Sequence, residues 1–233
     1  MLNVINDGEW PTGYRINPSP PPLEEKWREA FEGMPSAIVS DCLGRNTGGL
    51  GLKPYHGFRH LSGSALTVRI RPGDNLLLLK AIQMARPGDV LVVDGSGDLS
   101  RAVIGGIMRA MAIKAGIAGV VVNGAIRDRE EWMGGELPVF ALGYVHRGPS
   151  TDGGGEINVP VACAGMIVNP GDLIVGDADG VVAVGVDELP NVYARCTELL
   201  TERRTSLNPL QPALLIPTDL MNSFVTKVVL SRV

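Results

Sequence analysis

The sequence predicts an α/β domain with mixed sheets, and three observations carry that prediction. Between Ser64 and Val122, apolar runs of strand length alternate with longer amphipathic stretches, the rhythm that implies parallel pairing. After Trp132 the pattern turns to short apolar runs parted by tight turns. The 233 residues are 45% hydrophobic and 20% charged, an ordinary globular mix with enough apolar side chains for a sizeable core in one large domain or two small ones.

Residues 1–22 are polar and proline-rich, ending NPSPPP. Prolines block helix and central strand alike, so this stretch reads as an extended arm that either flaps or packs on a neighbouring subunit. Leu23 to Gly33 follows as a helix, with acids in its first turn, apolar Leu23, Trp27, Ala30 and Phe31 on one side, and Gly33 as its stop. Arm and helix make up residues 1–35. The main domain is expected over 36–206, opening with a short helix from Ser36 to Leu43 that carries Asp41.

Ser64 to Ile70 reads as a strand, Asn75 to Ala85 as a helix, Arg86 to Asp89 as a turn, and Val90 to Val93 as a buried strand ending at Asp94-Gly95-Ser96-Gly97-Asp98. Residues 100–115 read as a helix with a broad apolar face, stopped by Gly116 before the strand Val120 to Val122. Two glycines within it, Gly105 and Gly106, each cost about 1 kcal/mol relative to alanine. Either they allow close helix–sheet packing, or the helix begins there and Ser100 to Ile104 is loop. In the second case bare N–H groups near Ile107 and Met108 would be aimed at an anion.

Short strands are expected at Pro138 to Leu142, Ile157 to Val161, Met166 to Val168, Asp172 to Val175 and Val181 to Val184, with a Gly-rich, mobile loop from Arg147 to Gly155. A helix from Glu188 to about Ser206 closes the domain. Residues 207–233, with an apolar stretch from Phe224 to Leu230, read as an extension packing on the domain or on a partner subunit.

A net charge of -4 and a pI near 5.4 argue against a nucleic-acid surface held by phosphate contacts. The N-terminus shows no signal peptide and no run of about 18 apolar residues exists, so neither secretion nor a membrane span is expected. Three widely spaced cysteines without a CxxC suit reduced thiols in a cytoplasmic protein. His56, His60 and His146 are not spaced as a metal triad, no HExxH or GxSxG occurs, and each histidine reads as a loop or surface residue. The turn Asp94 to Asp98 is not a dinucleotide fingerprint, because Ser100 stands where the third glycine would be. That weak Gly-Ser-Gly turn is the sole feature favouring a methyltransferase.

Arg127-Asp128 is the strongest candidate for chemistry. By spacing alone it could be a surface ion pair of little energetic weight. Its position adds meaning, because it follows a buried parallel strand, and ligands in α/β sheets gather at the carboxyl ends of such strands. Arginine offers a planar fork to a carboxylate. Aspartate offers a hard oxygen to Mg²⁺, which keeps several waters and takes one or two protein carboxylates. Asp98, after the adjacent strand, could face the same cleft.

GDVLVVDGSGD, then AVIGGIMRAMAIKAGIAGVVVNGAIRD, then INVPVACAGMIVNPGDLIVGDADGVVAV, resemble in combined order the RraA-like family, over about Ser36 to Arg204. That family includes 4-hydroxy-4-methyl-2-oxoglutarate and 4-carboxy-4-hydroxy-2-oxoadipate aldolases. The resemblance implies a three-layer β/β/α sandwich of the swivelling-domain type, a homotrimer or homohexamer with its site between subunits, and a divalent metal, Mg²⁺ or Mn²⁺. It implies that Arg127 binds the carboxylate of a small 2-keto acid, that Asp128 holds the metal, and that the backbone of Gly105, Gly106, Ile107 and Met108 completes the carboxylate pocket. The reaction implied is metal-dependent C–C cleavage releasing pyruvate, by retro-aldol cleavage or oxaloacetate decarboxylation. The alternative is a non-catalytic, protein-binding regulator of the ribonuclease-inhibitor type. Active members resemble D-x20-R-D, and here Gly106 stands where the first acid would be. With that acid missing, decarboxylation, which needs no base for a C4 hydroxyl, is expected to survive better than aldol cleavage.

Overall fold

The computed structural model describes residues 11–207. The extension after Leu207 and its apolar stretch Phe224 to Leu230 lie outside the described residues. In chain order the elements are β1 (Tyr14–Ile16), α1 (Glu25–Ala30), α2 (Ser36–Cys42), β2 (Lys53–Pro54), β3 (Leu61–Ile70), α3 (Leu76–Met84), β4 (Asp89–Ile104), α4 (Gly106–Lys114), β5 (Gly119–Ile126), the single turn α5 (Arg129–Trp132) and β6 (Val139–Tyr144). Then come β7 (Gly155–Ile157), β8 (Val161–Cys163), β9 (Met166–Val168), β10 (Leu173–Gly176), β11 (Val181–Val184) and α6 (Leu189–Leu207). The chain divides into two compact units at Tyr193–Ala194, and of the second unit the structure describes the remainder of α6.

Strands β3, β4, β5 and β6 run parallel, in that order. They form the middle of a mixed sheet. β2 closes one edge, antiparallel to β6. On the other side β3 divides its free edge between two antiparallel neighbours, β10 along Leu61–Ser64 and β7 along Val68–Ile70. The central strands read as unbroken apolar runs because both of their faces are covered. Leu91, Val93, Val120 and Val122 point to one face, where α3 and α4 lay down Leu77, Leu78, Ala81, Met108 and Ala112. Val90, Val92 and Val121 point to the other, against Val161, Cys163, Met166 and Val168 of the β8–β9 hairpin. Helices on one face and further strands on the other make the β/β/α layering that the family resemblance implied.

Three local expectations are corrected. The N-terminal arm is in part a strand, since Tyr14–Ile16 pairs parallel with Gly155–Ile157 of its own chain. A sheet edge offers unpaired N–H and C=O groups, and this stretch satisfies them. Residues 100–104 are neither helix nor loop but the end of β4, and α4 begins at Gly106. The helical spacing of their side chains was outweighed by pairing with β5, where Ala102 meets Ala125 and Ile104 meets Ile126. The strand expected over Ile157 to Val161 is broken at Asn158, which sits at φ 56°. Asparagine tolerates that left-handed conformation better than most residues, and the chain turns there from β7 into β8.

Candidate active site

Strand β5 does not stop at Asn123-Gly124. It runs on to Ile126, because β4 bulges outward between Asp94 and Ile104 and returns to pair with it. The bulge uses Ser96 at φ 57° and Gly97 at φ 72°. Its return brings Ile104-Gly105 alongside Arg127-Asp128, and the Arg127 N–H donates to the Ile104 carbonyl at 3.0 Å. Two chain ends thus meet at the carboxyl edge of two parallel strands, where the topology of an open α/β sheet gathers ligands.

Asp128 turns the chain. It adopts φ 56°, ψ 46°, a region that aspartate enters more readily than most residues, and α5 follows. Trp132, fully buried, donates its indole N–H to the Arg127 carbonyl at 2.9 Å and pins the corner from below. The Arg127 Nε lies 3.6 Å from Asp128 Oδ2, with both side chains partly exposed.

Glycine at 105 and 106 is required by this corner. A Cβ on Gly105 would lie 2.5 Å from Asp128 Oδ2 and 2.7 Å from Arg127 Cγ. Without it the Gly106 N–H reaches Asp128 Oδ2 at 2.8 Å. A Cβ on Gly106 would run into the carboxylate of Glu131. The space in which a residue-106 side chain would begin is therefore filled by an acid from α5. The sequence reading missed Glu131. Its signal was the three-residue spacing from Asp128, which places two side chains on one face of a helical turn.

The carboxylate pair of Asp128 and Glu131 is a seat for a hard divalent cation, whereas the bare N–H groups at the start of α4 suit an anion beside it. Among the described residues no group of three or more His, Cys, Asp or Glu could hold a metal ion. A cage of protein ligands is thus not what Asp128 and Glu131 offer. Two carboxylates with the rest of the shell from water suit Mg²⁺, which dehydrates reluctantly.

Next to this corner lies a cavity of about 380 Å³, lined by Val103, Ile104, Gly105, Ile107, Met108 and Arg127, by Asn75 and Leu79 of the α3 region, and by Gly148, Pro149 and Thr151. The N–H groups of Ile107 and Met108 belong to the first turn of α4, where no intrahelical acceptor exists. All the residues read from the sequence as substrate- or metal-binding, namely Gly105, Gly106, Ile107, Met108, Arg127 and Asp128, meet in this one corner.

The loop from Arg147 to Gly155, expected to be mobile, is tied down. Its anchor is Asp74, 1% exposed. The Asp74 carboxylate accepts from the Ser150 hydroxyl at 2.8 Å and from the N–H groups of Asp152 and Gly153 at 3.0 and 2.9 Å, while its other oxygen accepts from Leu76 at 2.9 Å. Burial pushes this carboxyl up, but those donors outweigh burial and hold it below the usual carboxylate range.

Asp98 is not brought to Asp128. Its carboxylate is taken by the N–H and hydroxyl of Ser100, both at 3.0 Å, within the β4 bulge. His56 is a loop residue, as expected, and it is buried. Its Nδ1 lies 2.9 Å from both the N–H nitrogen and the carbonyl oxygen of Val139, and its Nε2 lies 2.8 Å from the Arg59 carbonyl oxygen, so both ring nitrogens are held by backbone. Among the described residues no helix is long and apolar enough to cross a membrane.

Comparison with known proteins agrees with the fold. Residues 36–183 match the RraA-like family model, described as Aldolase/RraA. A protein from Halalkalibacterium halodurans, named as a candidate 4-hydroxy-4-methyl-2-oxoglutarate aldolase, is 42% identical over 166 residues, covering 71% of this chain and 79% of its own. Among solved structures, the RNA-processing inhibitor RraA from Thermus thermophilus superposes with a TM-score of 0.59 at 32% identity, over 64% of this chain and 92% of that one. Streptomyces coelicolor RraAS2, described as an unusual member of the RNase ES inhibitor RraA family, gives a TM-score of 0.73 over 79% and 97% of the two chains. Its 24% identity speaks to the fold alone.

Proposed function

We propose that this chain, which belongs to the RraA-like family, is a divalent-metal-dependent lyase that cleaves a C–C bond of a small 2-keto acid and releases pyruvate. The observation that carries this reading is the convergence of Arg127, Asp128 and Glu131 on the glycine corner at the start of α4. Arg127 lines the cavity, and its guanidinium would take the substrate carboxylate bidentately, fixing the direction of the keto carbon. The N–H groups of Ile107 and Met108 would hold the same carboxylate from the helix side.

Asp128 and Glu131 would hold Mg²⁺ or Mn²⁺, which when bound supplies Lewis-acid stabilisation of the negative charge that builds on the keto oxygen as the C–C bond breaks. The Gly106 N–H fixes one oxygen of Asp128, so that carboxylate is oriented before any ligand arrives. With Glu131 standing at residue 106, the missing family acid has a replacement, and this favours retention of aldol cleavage alongside decarboxylation. For retro-aldol substrates the C4 hydroxyl must also lose a proton, and a water in the cleft is the candidate acceptor. The reading includes a trimer or hexamer, in which Ile107, 78% exposed at the cavity mouth, would meet a neighbouring subunit.

The regulator reading draws support from the likeness to the RNA-processing inhibitor of Thermus thermophilus. The complete Arg-Asp-Glu corner beside a cavity of substrate size favours the enzyme. Binding of Mn²⁺, followed by the loss of its free electron-spin signal, tests the metal half of the proposal. We expect one site per chain, weakened roughly tenfold or more in Asp128→Asn and in Glu131→Gln, the scale of a lost charged ligand. Unchanged Mn²⁺ binding in both variants would refute it.

A further inference from the structure

Asn75 stands at the N-cap of α3, a position where asparagine ordinarily bonds the first turn, yet its side chain makes no cap hydrogen bond. The capping is done one residue earlier, by Asp74 on the Leu76 N–H. Asn75 lines, with Arg127, the cavity beside the corner. There its nitrogen donates to the Met108 sulfur at 3.3 Å, and its Oδ1 has no hydrogen-bond partner among the described residues. The residue is 8% exposed. A buried amide oxygen left unpaired costs stability, and the turn it belongs to gains nothing from it.

We infer that Asn75 is a specificity-determining residue, whose Oδ1 accepts a hydrogen bond from the hydroxyl of a 4-hydroxy-2-keto acid. The inference rests on the lyase reading above and deepens it. Contact with the Met108 sulfur fixes which end of the amide faces the ligand, because a thioether accepts and cannot donate. The end left over is an acceptor. In a hydroxylated keto acid, carboxylate and keto oxygens are acceptors too, and the hydroxyl is the donor that matches. Of the other walls, Leu79, Val103, Ile104 and Met108 are alkyl and Thr151 is exposed, so Asn75 Oδ1 is the buried side-chain acceptor that a substrate hydroxyl would meet here.

The test is Asn75→Leu, similar in size and without the amide, assayed with Mg²⁺ on two substrates. For 4-hydroxy-4-methyl-2-oxoglutarate, kcat/KM is expected to fall roughly 30-fold or more, the scale of a buried hydroxyl losing its partner. For oxaloacetate, whose keto form carries no hydroxyl, it is expected to stay within about threefold. The melting temperature should hold or rise, because a buried unpaired polar atom is removed; a structural role for the amide would lower it. Equal losses on both substrates, no loss on either, or a wild type that turns over oxaloacetate alone would each overturn the assignment to Asn75. A wild type that turns over neither substrate would instead sink the lyase reading, and the inference with it.

Discussion

The amide N–H of Gly106 donates to Asp128 Oδ2 at 2.8 Å, tying the first residue of α4 to the corner that ends β5. Glu131 closes over the same glycine from α5. One residue without a side chain thus joins two carboxylates, and the site is sensitive to a single methyl group there. Gly106→Ala adds that methyl. The fold should survive, since alanine is the better helix former by about 1 kcal/mol and the obstructing group is the far end of a flexible side chain. The Glu131 carboxylate must move, so pyruvate release is expected to fall roughly 100-fold with little change in melting temperature. Steady-state kinetics with thermal unfolding checks both halves.

Gly106→Asp goes further by placing an acid where the D-x20-R-D pattern would have one, though it collides with Glu131. Alone it should be inactive. Combined with Glu131→Ala it should recover activity to within about tenfold of wild type, a large positive coupling for residues that share one space. A double-mutant cycle on kcat/KM measures it.

Arg127→Lys keeps the charge and loses the planar fork. If the carboxylate of the substrate is held bidentately, KM for oxaloacetate should rise roughly 10- to 100-fold, with a smaller change in kcat, as expected of charged hydrogen bonds worth about 1.5–3 kcal/mol.

Asp74 ties the Arg147 to Gly155 loop to the start of α3. Its folded carboxyl lies below the ordinary value of about 3.9. Its contribution to stability is therefore full above about pH 4 and lost as pH falls through the folded value. Asp74→Asn should be about 2–3 kcal/mol less stable at pH 7, with the difference from wild type shrinking towards pH 3. Urea unfolding at the two pH values gives the comparison.

Cys163 is completely buried in the β8–β9 layer. Burial, aided by the Asp94 charge, pushes its thiol up to about 12, so the reactive thiolate is scarce at neutral pH. Iodoacetamide at pH 7.5 should leave Cys163 unmodified in the folded protein and label it after unfolding, as peptide mass mapping would record.

Much of this was legible in the sequence because burial writes itself into composition. The runs Val90 to Val93 and Val120 to Val122 are apolar at every position, which marks strands covered on both faces, and both lie where expected. Arg127-Asp128 stood out because a charged pair follows such a run. What sequence did not reveal was set by long-range pairing. Ala102 to Ile104 has helical spacing, but it pairs with β5 once the bulge at Ser96-Gly97 has formed. Glu131 was concealed for a related reason. Its importance depends on Gly106, far away in the chain, approaching closely enough for the carboxylate to fill its missing side chain. Asp98, after the adjacent strand, had a position from which it could face the same cleft as Asp128, but in the β4 bulge its carboxylate is taken by Ser100.

The proposed chemistry stands or falls with Asp128 and the ion it would hold. Pyruvate release from oxaloacetate by the purified protein, with Mg²⁺, with EDTA and for Asp128→Ala, is the decisive measurement. Release is expected well above the Mg²⁺-only background, abolished by EDTA and reduced at least roughly 100-fold in the variant. Release no faster than with Mg²⁺ alone, or equal release by wild type and Asp128→Ala, would contradict the assignment of this corner as a keto-acid lyase.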